Sequence, residues 1–306
     1  MRVLVLGAGA LGLTVAAKLS RVCEVHAVCR ARHAEAIARD GFRMSGIWGT
    51  GSVRFSAAES LPDDGPWDYV LVTCKSTATR ALAQQFALLL AGREVASLQN
   101  GLGNEEILAE YTDRVIGGTV ITGFEWRGDG AAAVTVEAGP IRLGRFPVGL
   151  DEPVEALVQL FRDAGLNTEG SRAIRAALWS KTLYNCALNP LGAIMGVAYG
   201  ALADPEAWAI IEAVVREAHA VCSAEGVTLP WVTAADYLEY LKGVQLPATA
   251  GHHPSMLQDL QHGHRTEIDF LNGAVVTRGA ALGIPTPVNE TLVRLIRFRE
   301  QLDRGH

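Results

Sequence analysis

Three polar side chains recur at four-residue intervals in the otherwise apolar segment 175–190. They are Lys181, Asn185 and Asn189. Residues four apart lie on the same face of an α-helix, so the three would form one polar stripe. Polar groups in a mainly buried helix need hydrogen-bonding partners, which other protein groups or a bound substrate can supply. A solvated surface would explain Lys181 alone, but it explains the two asparagines less well.

A second polar segment spans residues 255–269. Ser255 and Gln258 have the spacing of a helix capping box, and Glu267 would be a first-turn acid if a helix begins near Thr266. Serine and glutamate are also residue types that can bind a polar substrate. Local sequence alone does not decide between a structural role and a binding role.

A glycine motif of the form GxGxxG follows the first strand-like run of the sequence. It consists of Gly7, Ala8, Gly9, Ala10, Leu11 and Gly12. It follows an apolar strand-like run and begins a helical pattern, which is the context of a dinucleotide-binding turn. Its first two glycines allow a tight turn and a close approach to pyrophosphate, and the third allows close helix–strand packing. A turn without a ligand is the alternative interpretation.

The end of the next strand carries no Asp or Glu to bind a ribose 2′-hydroxyl. Arg30 stands there instead. A guanidinium suits a 2′-phosphate, so the sequence predicts NADP, in its reduced form NADPH. Lys75 and Asn100 end two later strands, at the edge where doubly wound sheets bind ligands. A loop charge and Asn-Gly turn chemistry are the respective alternatives.

Two kinds of element must position these residues. In the first half, strand-like runs alternate with helical patterns, which predicts an α/β Rossmann domain with a doubly wound, mainly parallel sheet. Strands are predicted at residues 3–6, 24–29, 68–73, 94–98 and 114–122. Helical segments are predicted at residues 10–19, 32–40 (as helix or turn) and 78–90. Residues 134–137 and 141–143 have the pattern of a β-hairpin that closes the domain.

Helical periodicity dominates from about Ser171, which predicts an all-α second domain. Helices are predicted at residues 174–188, 206–225, 232–241, 267–282 and 288–302. The change of pattern falls between residues 163 and 172. We therefore predict a cofactor-binding domain over residues 1–168 and a helical substrate-binding and catalytic domain over residues 169–306.

The composition narrows the class of protein. The chain has 306 residues, of which 49% are hydrophobic and 20% charged, and its net charge is −6. This acidic balance argues against a nucleic-acid partner. We find no signal peptide and no membrane-spanning run, so we predict a cytoplasmic protein without a membrane partner.

The four histidines between residues 252 and 264 match no standard metal-ligand spacing, so no metal is expected. The oligomeric state stays open, with a homodimer among the outcomes.

Taken together, the motifs resemble those of the ketopantoate reductase (2-dehydropantoate 2-reductase) family, and the resemblance spans nearly the whole chain. The final two segments are more specific than any glycine pattern. The matching motifs are Gly7 to Gly12, Lys75, Asn100 to Gly103, Lys181 to Pro190, Ser255 to Asp259 and Arg265 to Asp269.

The resemblance implies that NADPH reduces a 2-oxo acid, and the leading interpretation is the reduction of 2-dehydropantoate (ketopantoate) to pantoate. Lys181 would stabilise and protonate the keto oxygen, and Glu267 would bind the substrate hydroxyl and help to position Lys181. Asn100 would also hold the nicotinamide side of the site, and Lys75 would lie where cofactor and substrate meet. The substrate-binding set implied by the resemblance is Asn100, Asn185, Asn189, Ser255 and Glu267.

One position departs from the family pattern. His252 stands where the family often carries an asparagine that touches substrate. The departure favours, as an alternative, a paralogue that acts on another 2-oxo or 2-hydroxy acid. A non-catalytic NADP-binding sensor is the third interpretation. Lys181 and Glu267 together argue against a sensor, because cofactor binding requires neither.

Overall fold

The computed structural model describes residues 1–62 and 65–304. Its contacts divide the chain into two compact units. The first contains Met1–Gln99 and Asn104–Arg175, and the second contains Asn100–Gly103 and the chain from Ala176 onward. The short loop Asn100–Gly103 therefore belongs to the second unit, although the sequence around it belongs to the first.

The first unit has an α/β architecture. Its strands are β1 (Arg2–Leu6), β2 (Glu24–Val28), β3 (Phe42–Gly46), β4 (Gly51–Val53), β5 (Ser56–Ala58), β6 (Tyr69–Val72), β7 (Glu94–Ser97), β8 (Val115–Thr119), β9 (Thr122–Gly128), β10 (Ala131–Glu137), β11 (Ile141–Arg145) and β12 (Thr168–Gly170). Its helices are α1 (Ala10–Leu19), α2 (Ala31–Asp40), α3 (Thr79–Gln85), α4 (Ala87–Leu90), α5 (Asn104–Ala109) and α6 (Glu152–Asp163).

Eight strands form the main sheet, in the order β12-β11-β8-β7-β6-β1-β2-β5. Every pair is parallel except β11 with β8. Val3 and Val5 of β1 pack into one buried cluster, whereas Leu4 and Leu6 pack into another. Alternate side chains point to opposite faces of a strand, so both faces of this sheet are buried, as in doubly wound folds. The predicted Rossmann fold is confirmed.

The predicted hairpin of residues 134–137 and 141–143 is wrong. β10 belongs to a second sheet of four strands, in the order β4-β3-β10-β9, while β11 pairs with β8 and β12 in the main sheet. The observed hairpin joins β9 to β10. Its turn contains Gly128 and Gly130, both with positive φ, which glycine adopts without steric cost. Likewise, the predicted strand 114–122 is divided between β8 and β9, which lie in different sheets.

Within its described residues, the second unit contains helices joined by loops and no strands. Its helices are α7 (Ile174–Met195), α8 (Pro205–Ala224), α9 (Ala234–Tyr240), α10 (Leu246–Ala248), α11 (Ser255–Gln261), α12 (Asn272–Leu282) and α13 (Pro287–Arg304). Short 3₁₀ turns cover Tyr199–Ala203 and Ile268–Phe270, and one π-helical segment covers Leu241–Gln245. Within the described residues, no helix is both long and apolar enough to span a membrane.

Two predicted helix boundaries in this unit are wrong. The helix predicted at 267–282 is interrupted at Leu271, whose φ of −102° and ψ of −106° are not helical, so α12 begins only at Asn272. The helix predicted to end at Leu188 continues as α7 through Pro190 to Met195. The first difference leaves Glu267 just before a 3₁₀ turn, not in the first turn of a long helix.

Candidate active site

The glycine motif lies between β1 and α1, and packing explains two of its three glycines. A Cβ at Gly7, which has φ +68°, would collide with the Cβ of Cys74. A Cβ at Gly12 would collide with the hydroxyl of Thr73. The fold itself therefore excludes larger residues at both positions.

Gly9 differs, because protein packing does not require a glycine there. Its backbone is extended (φ −86°, ψ −158°), and a Cβ would meet nothing within 4 Å. It stands at the N-cap of α1, where free backbone N–H groups and the helix dipole attract phosphate. A pyrophosphate that approaches the backbone closely accounts for glycine at this position, so the loop fits a dinucleotide cofactor.

Gly9→Ala is therefore expected to separate cofactor binding from folding. The urea midpoint should change little, with a cost of at most about 1 kcal/mol at the N-cap. The Kd for a dinucleotide cofactor, measured by fluorescence titration with NADPH as the probe, should rise by about tenfold or more, because the methyl group would occupy the approach of the pyrophosphate. Gly12→Ala is the matched comparison, in which the midpoint falls. An unchanged Kd for Gly9→Ala would contradict this role.

Arg30 and Lys75 lie beside this loop along the sheet. Arg30 follows β2 as the N-cap of α2, and Lys75 follows β6 as the N-cap of a 3₁₀ turn. β2 and β6 both pair with β1, so all three segments leave the same edge of the sheet. Both side chains are exposed. Within residues 1–62 and 65–304, Arg30 takes part in no salt bridge, whereas its neighbour Arg32 pairs with Asp129 at 3.3 Å.

A buried network that the sequence analysis missed holds the loop that carries Lys75. The Gln99 amide donates to the Cys74 carbonyl (2.9 Å) and to the Thr79 hydroxyl (2.7 Å). Thr79 donates to Asn104 Oδ1 (2.8 Å), and the Asn104 amide donates to the Ser76 hydroxyl (3.1 Å). Gln99, Thr79, Asn104 and Ser76 are all buried. Two loops at the carboxyl edge are thus tied together by side chains, a pairing that no local pattern signals.

In the second unit, α7 carries Lys181, Asn185 and Asn189 on one continuous helix, as the spacing indicates. Lys181 is half-buried, and both asparagines are buried. Asn189 donates to the Ser255 hydroxyl and accepts from the Met256 N–H, both at 3.1 Å. The start of α11 is therefore capped by Asn189 from another helix.

Ser255 does not form the capping box considered from the sequence. α11 begins at Ser255 itself, its N-cap residue is Pro254, and no side chain of its own caps it. The hydroxyl instead accepts the Asn189 amide, and the serine is exposed. Its position in the second unit is set by the α7 contact rather than by its own helix.

Asn100 and Glu267, which are 167 residues apart, meet directly. The Asn100 amide donates to Glu267 Oε2 at 3.0 Å. Next to Asn100, Gly101 has φ +83°, and a Cβ there would collide with the Phe270 carbonyl. The same carbonyl accepts the Leu102 N–H at 2.8 Å. The loop Asn100–Gly103 is thus fastened to the segment that carries Glu267.

α13 supports the other side of that segment, a contact that the sequence analysis also missed. The N–H and hydroxyl of Thr266, which is buried, both donate to Glu300 Oε1 at 2.7 Å. Arg297 forms two hydrogen bonds with Asp269 Oδ1, at 2.9 and 2.7 Å. Glu267 therefore lies in a stretch of backbone that is held from two directions. Across the described residues, no group of three or more His, Cys, Asp or Glu side chains could hold a metal ion.

Comparison with known proteins decides the family. A sequence model of the family described as ketopantoate reductase PanE/ApbA matches residues 3–147, and the model of its C-terminal region matches residues 173–300. The chain belongs to the ketopantoate reductase family. Members of this family are oxidoreductases, and the cofactor class is a nicotinamide dinucleotide, which agrees with the glycine loop.

Curated relatives share almost the full length of this ketopantoate reductase family member. The 2-dehydropantoate 2-reductase of Pyrococcus horikoshii is 33% identical over 315 residues, covering 100% of this chain and 99% of the relative. That of Archaeoglobus fulgidus is 35% identical over 298 residues, covering 97% of each.

Solved structures show the same fold. A PanE/ApbA family ketopantoate reductase from Ralstonia eutropha JMP134 has a TM-score of 0.89 and 33% identity, with 100% of both chains covered. D-mandelate dehydrogenase, solved with NADH and anilino(oxo)acetate, has a TM-score of 0.88 at 23% identity, with 99% of both chains covered. The second likeness concerns the fold alone.

Proposed function

We propose that this chain reduces 2-dehydropantoate (ketopantoate) to pantoate with NADPH. The curated relatives that match nearly its whole length are named 2-dehydropantoate 2-reductases. The observation that carries the proposal is the polar set of the second unit, where Asn100 binds Glu267 and Asn189 binds Ser255. Lys181 lies on the same helix as Asn189. A cofactor-binding protein without chemistry would need none of these groups in that unit.

The reaction balances with one hydride and one proton. A nicotinamide cofactor held by the glycine loop of residues 7–12 would supply the hydride that bonds to the keto carbon and would be left oxidised. The π electrons of the C=O bond move to oxygen, which takes a proton and becomes the hydroxyl. A nearby cation lowers the free energy of the developing alkoxide, most strongly where water is excluded.

Lys181 is the residue that we assign to this proton. Its ammonium can stabilise the oxyanion and then donate a proton to it, after which solvent restores the charge. Tyr184, one turn further along α7, is a weaker candidate. Its hydroxyl already donates to Thr249 at 2.8 Å, and burial raises the pKa of Tyr184 to about 12. This phenol therefore gives up its proton less readily at neutral pH than an ordinary tyrosine does.

Substrate binding falls to the paired residues. Glu267 accepts from Asn100 at Oε2, and we assign the same carboxylate to the hydroxyl of the substrate, because a carboxylate can accept several hydrogen bonds. Ser255, held by Asn189, would bind the substrate carboxylate, and Asn185 would orient it. A site with several polar contacts rejects analogues that lack a hydroxyl, because the buried groups are then left unpaired.

The NADPH preference and the remaining cofactor contacts rest on the first unit. We assign Arg30 to the 2′-phosphate, because it follows β2 at the N-cap of α2 and, among residues 1–62 and 65–304, forms no salt bridge with a carboxylate. Lys75 would contact the cofactor from the end of β6. The homodimer considered from the sequence stays a prediction.

A second candidate is a paralogous reaction on a different 2-oxo acid. The observation that favours it is His252, whose ring packs against the buried Tyr199 with centroids 5.4 Å apart. The His252 carbonyl also accepts the Tyr199 N–H at 3.0 Å. An imidazole packed on an aromatic ring offers a different surface to substrate from an asparagine amide.

Steady-state NADPH oxidation tests the proposal. With ketopantoate we expect fast turnover, and with 2-oxoisovalerate, which lacks the hydroxymethyl group, a loss in kcat/KM of about 10³-fold or more. Repeating both assays with NADH tests the cofactor preference. If ketopantoate is inert and phenylglyoxylate reacts, the second candidate replaces the first. No turnover with any 2-oxo acid would contradict both candidate functions.

A further inference from the structure

Pro190 leaves one carbonyl of α7 without its helical partner. A helix normally pairs each carbonyl with the N–H four residues later, but proline has no N–H. The carbonyl affected is that of Cys186, which is fully buried. A buried carbonyl without a partner destabilises a protein, yet α7 continues past this point to Met195.

A side chain from another helix replaces the missing donor. The Asn272 amide, at the start of α12, donates to the Cys186 carbonyl at 3.2 Å. Asn272 has no exposed surface, and its amide also donates to Asn289 Oδ1 at 3.0 Å. The Asn289 amide in turn donates to Glu217 Oε2 at 2.7 Å and to the Val214 carbonyl at 3.2 Å. One buried chain of hydrogen bonds thus joins α7 to α12, α13 and α8.

The carbonyl that Pro190 frees lies among the residues of α7 that we assign to the reaction. Cys186 directly follows Asn185, and it lies between the turn of Lys181 and the turn of Asn189. A helix tends to bend where a proline interrupts its hydrogen bonds, so the contact made at this carbonyl sets the direction of one half of α7 relative to the other. The spacing of the assigned acid and the residue that holds Ser255 depends on that direction.

We propose that Asn272 is a positioning residue, which aligns Lys181 and Asn185 with Asn189 by binding the Cys186 carbonyl that Pro190 frees. The inference rests on the proposed function only for the roles of those three residues. Asn272 itself contacts no reacting group in this account. Its effect is transmitted through the backbone of α7.

Asn272→Ala is the first test. We expect kcat/KM for the 2-oxo acid that the wild type reduces to fall by about tenfold or more, through both kcat and KM. The Kd for NADPH should stay within about twofold of wild type, because the glycine loop belongs to the other unit. Thr277→Ala is the matched control: its hydroxyl donates to the Gly273 carbonyl within α12 at 2.9 Å, and among the described residues it forms no hydrogen bond with α7. We expect wild-type kinetics from it.

Pro190→Ala provides the rescue. α7 is already helical at this point, so an alanine N–H can bond the Cys186 carbonyl in the usual way. In the Asn272→Ala background it should reverse most of the decrease in the urea midpoint. It should also recover at least about a third of the decrease in log kcat/KM. Alone, Pro190→Ala should change kcat/KM by less than about threefold. A double variant no better than Asn272→Ala would overturn the role of the carbonyl.

A readout without turnover separates this proposal from the proposed function. The chain has only four lysines, Lys18, Lys75, Lys181 and Lys242, so reductive ¹³C-methylation and NMR can follow each titration. In Asn272→Ala the titration midpoint of Lys181 should move, whereas in the Thr277→Ala control it should stay. If ketopantoate is not reduced, the proposed function fails and this experiment still decides about Asn272. A lower urea midpoint with the kinetics and Lys181 titration of the Thr277→Ala control would make Asn272 purely structural and overturn the proposal.

Discussion

Lys181→Ala is expected to lower kcat for the 2-oxo acid by about 10³-fold, while the Kd for NADPH stays within about twofold. The physical reason is that, in the role proposed for Lys181, the developing oxyanion loses both its cation and its proton donor. Single-turnover oxidation of NADPH, followed at saturating substrate, measures the chemical step directly. Without that charge, the variant should keep only the part of the rate acceleration that comes from holding cofactor and substrate together.

Two further variants sharpen this test. Lys242→Ala removes the other lysine of the second unit, whose ammonium lies 5.0 Å from the centroid of the Trp208 ring, and it should leave kcat unchanged. Lys181→Arg keeps the positive charge with a group that hardly releases a proton. It should recover part of the lost rate, with a pH profile different from that of the wild type. Turnover of Lys181→Ala within about tenfold of wild type would remove Lys181 from the reaction.

Arg30→Ala is expected to abolish the proposed preference for NADPH over NADH. The kcat/KM with NADPH should fall by about 10²-fold, and that with NADH should change by less than about threefold. In the role proposed for it, the guanidinium interacts with the 2′-phosphate, which NADH lacks, so only one cofactor would lose a contact. Raising the ionic strength should weaken NADPH binding in the wild type more than in the variant, because an exposed charge pair is screened by salt.

Arg32→Ala is the matched control for this prediction. Arg32 is a neighbouring exposed arginine of the same turn, but it already pairs with Asp129 at 3.3 Å. Its loss should alter NADPH kinetics by less than about threefold. Equal losses in both variants would point to the general positive charge of the turn rather than to Arg30. An equal loss with NADH and NADPH would place Arg30 away from the 2′-phosphate.

Much of the fold follows from local pattern, because local physics produces it. In β1, alternating side chains with both faces apolar indicate a strand buried on two sides, and the glycine motif marks the turn into α1. The four-residue spacing of Lys181, Asn185 and Asn189 requires only that the segment be helical. These features depend on neighbours within a turn or two of chain, so a single sequence contains them.

The pairing of strands was harder to predict. The segments 134–137 and 141–143 are separated by Ala-Gly-Pro, which has the composition of a hairpin turn. Their partners instead lie in different sheets, β10 with β9 and β3, and β11 with β8 and β12. The residues of a turn indicate that the chain changes direction. They do not indicate with which strand the next segment pairs. That choice depends on the packing of distant segments.

The sequence by itself determined the Rossmann unit, the helical second unit, the cofactor loop and the polar face of α7. Tertiary structure decided that α7 runs through Pro190, because the donor that replaces the proline N–H comes from Asn272, 82 positions later. It also decided that Ser255 pairs with Asn189 and Glu267 with Asn100. A hydrogen bond between residues far apart in the chain forms only after folding has paid the entropy of bringing them together, so no local pattern encodes its partner.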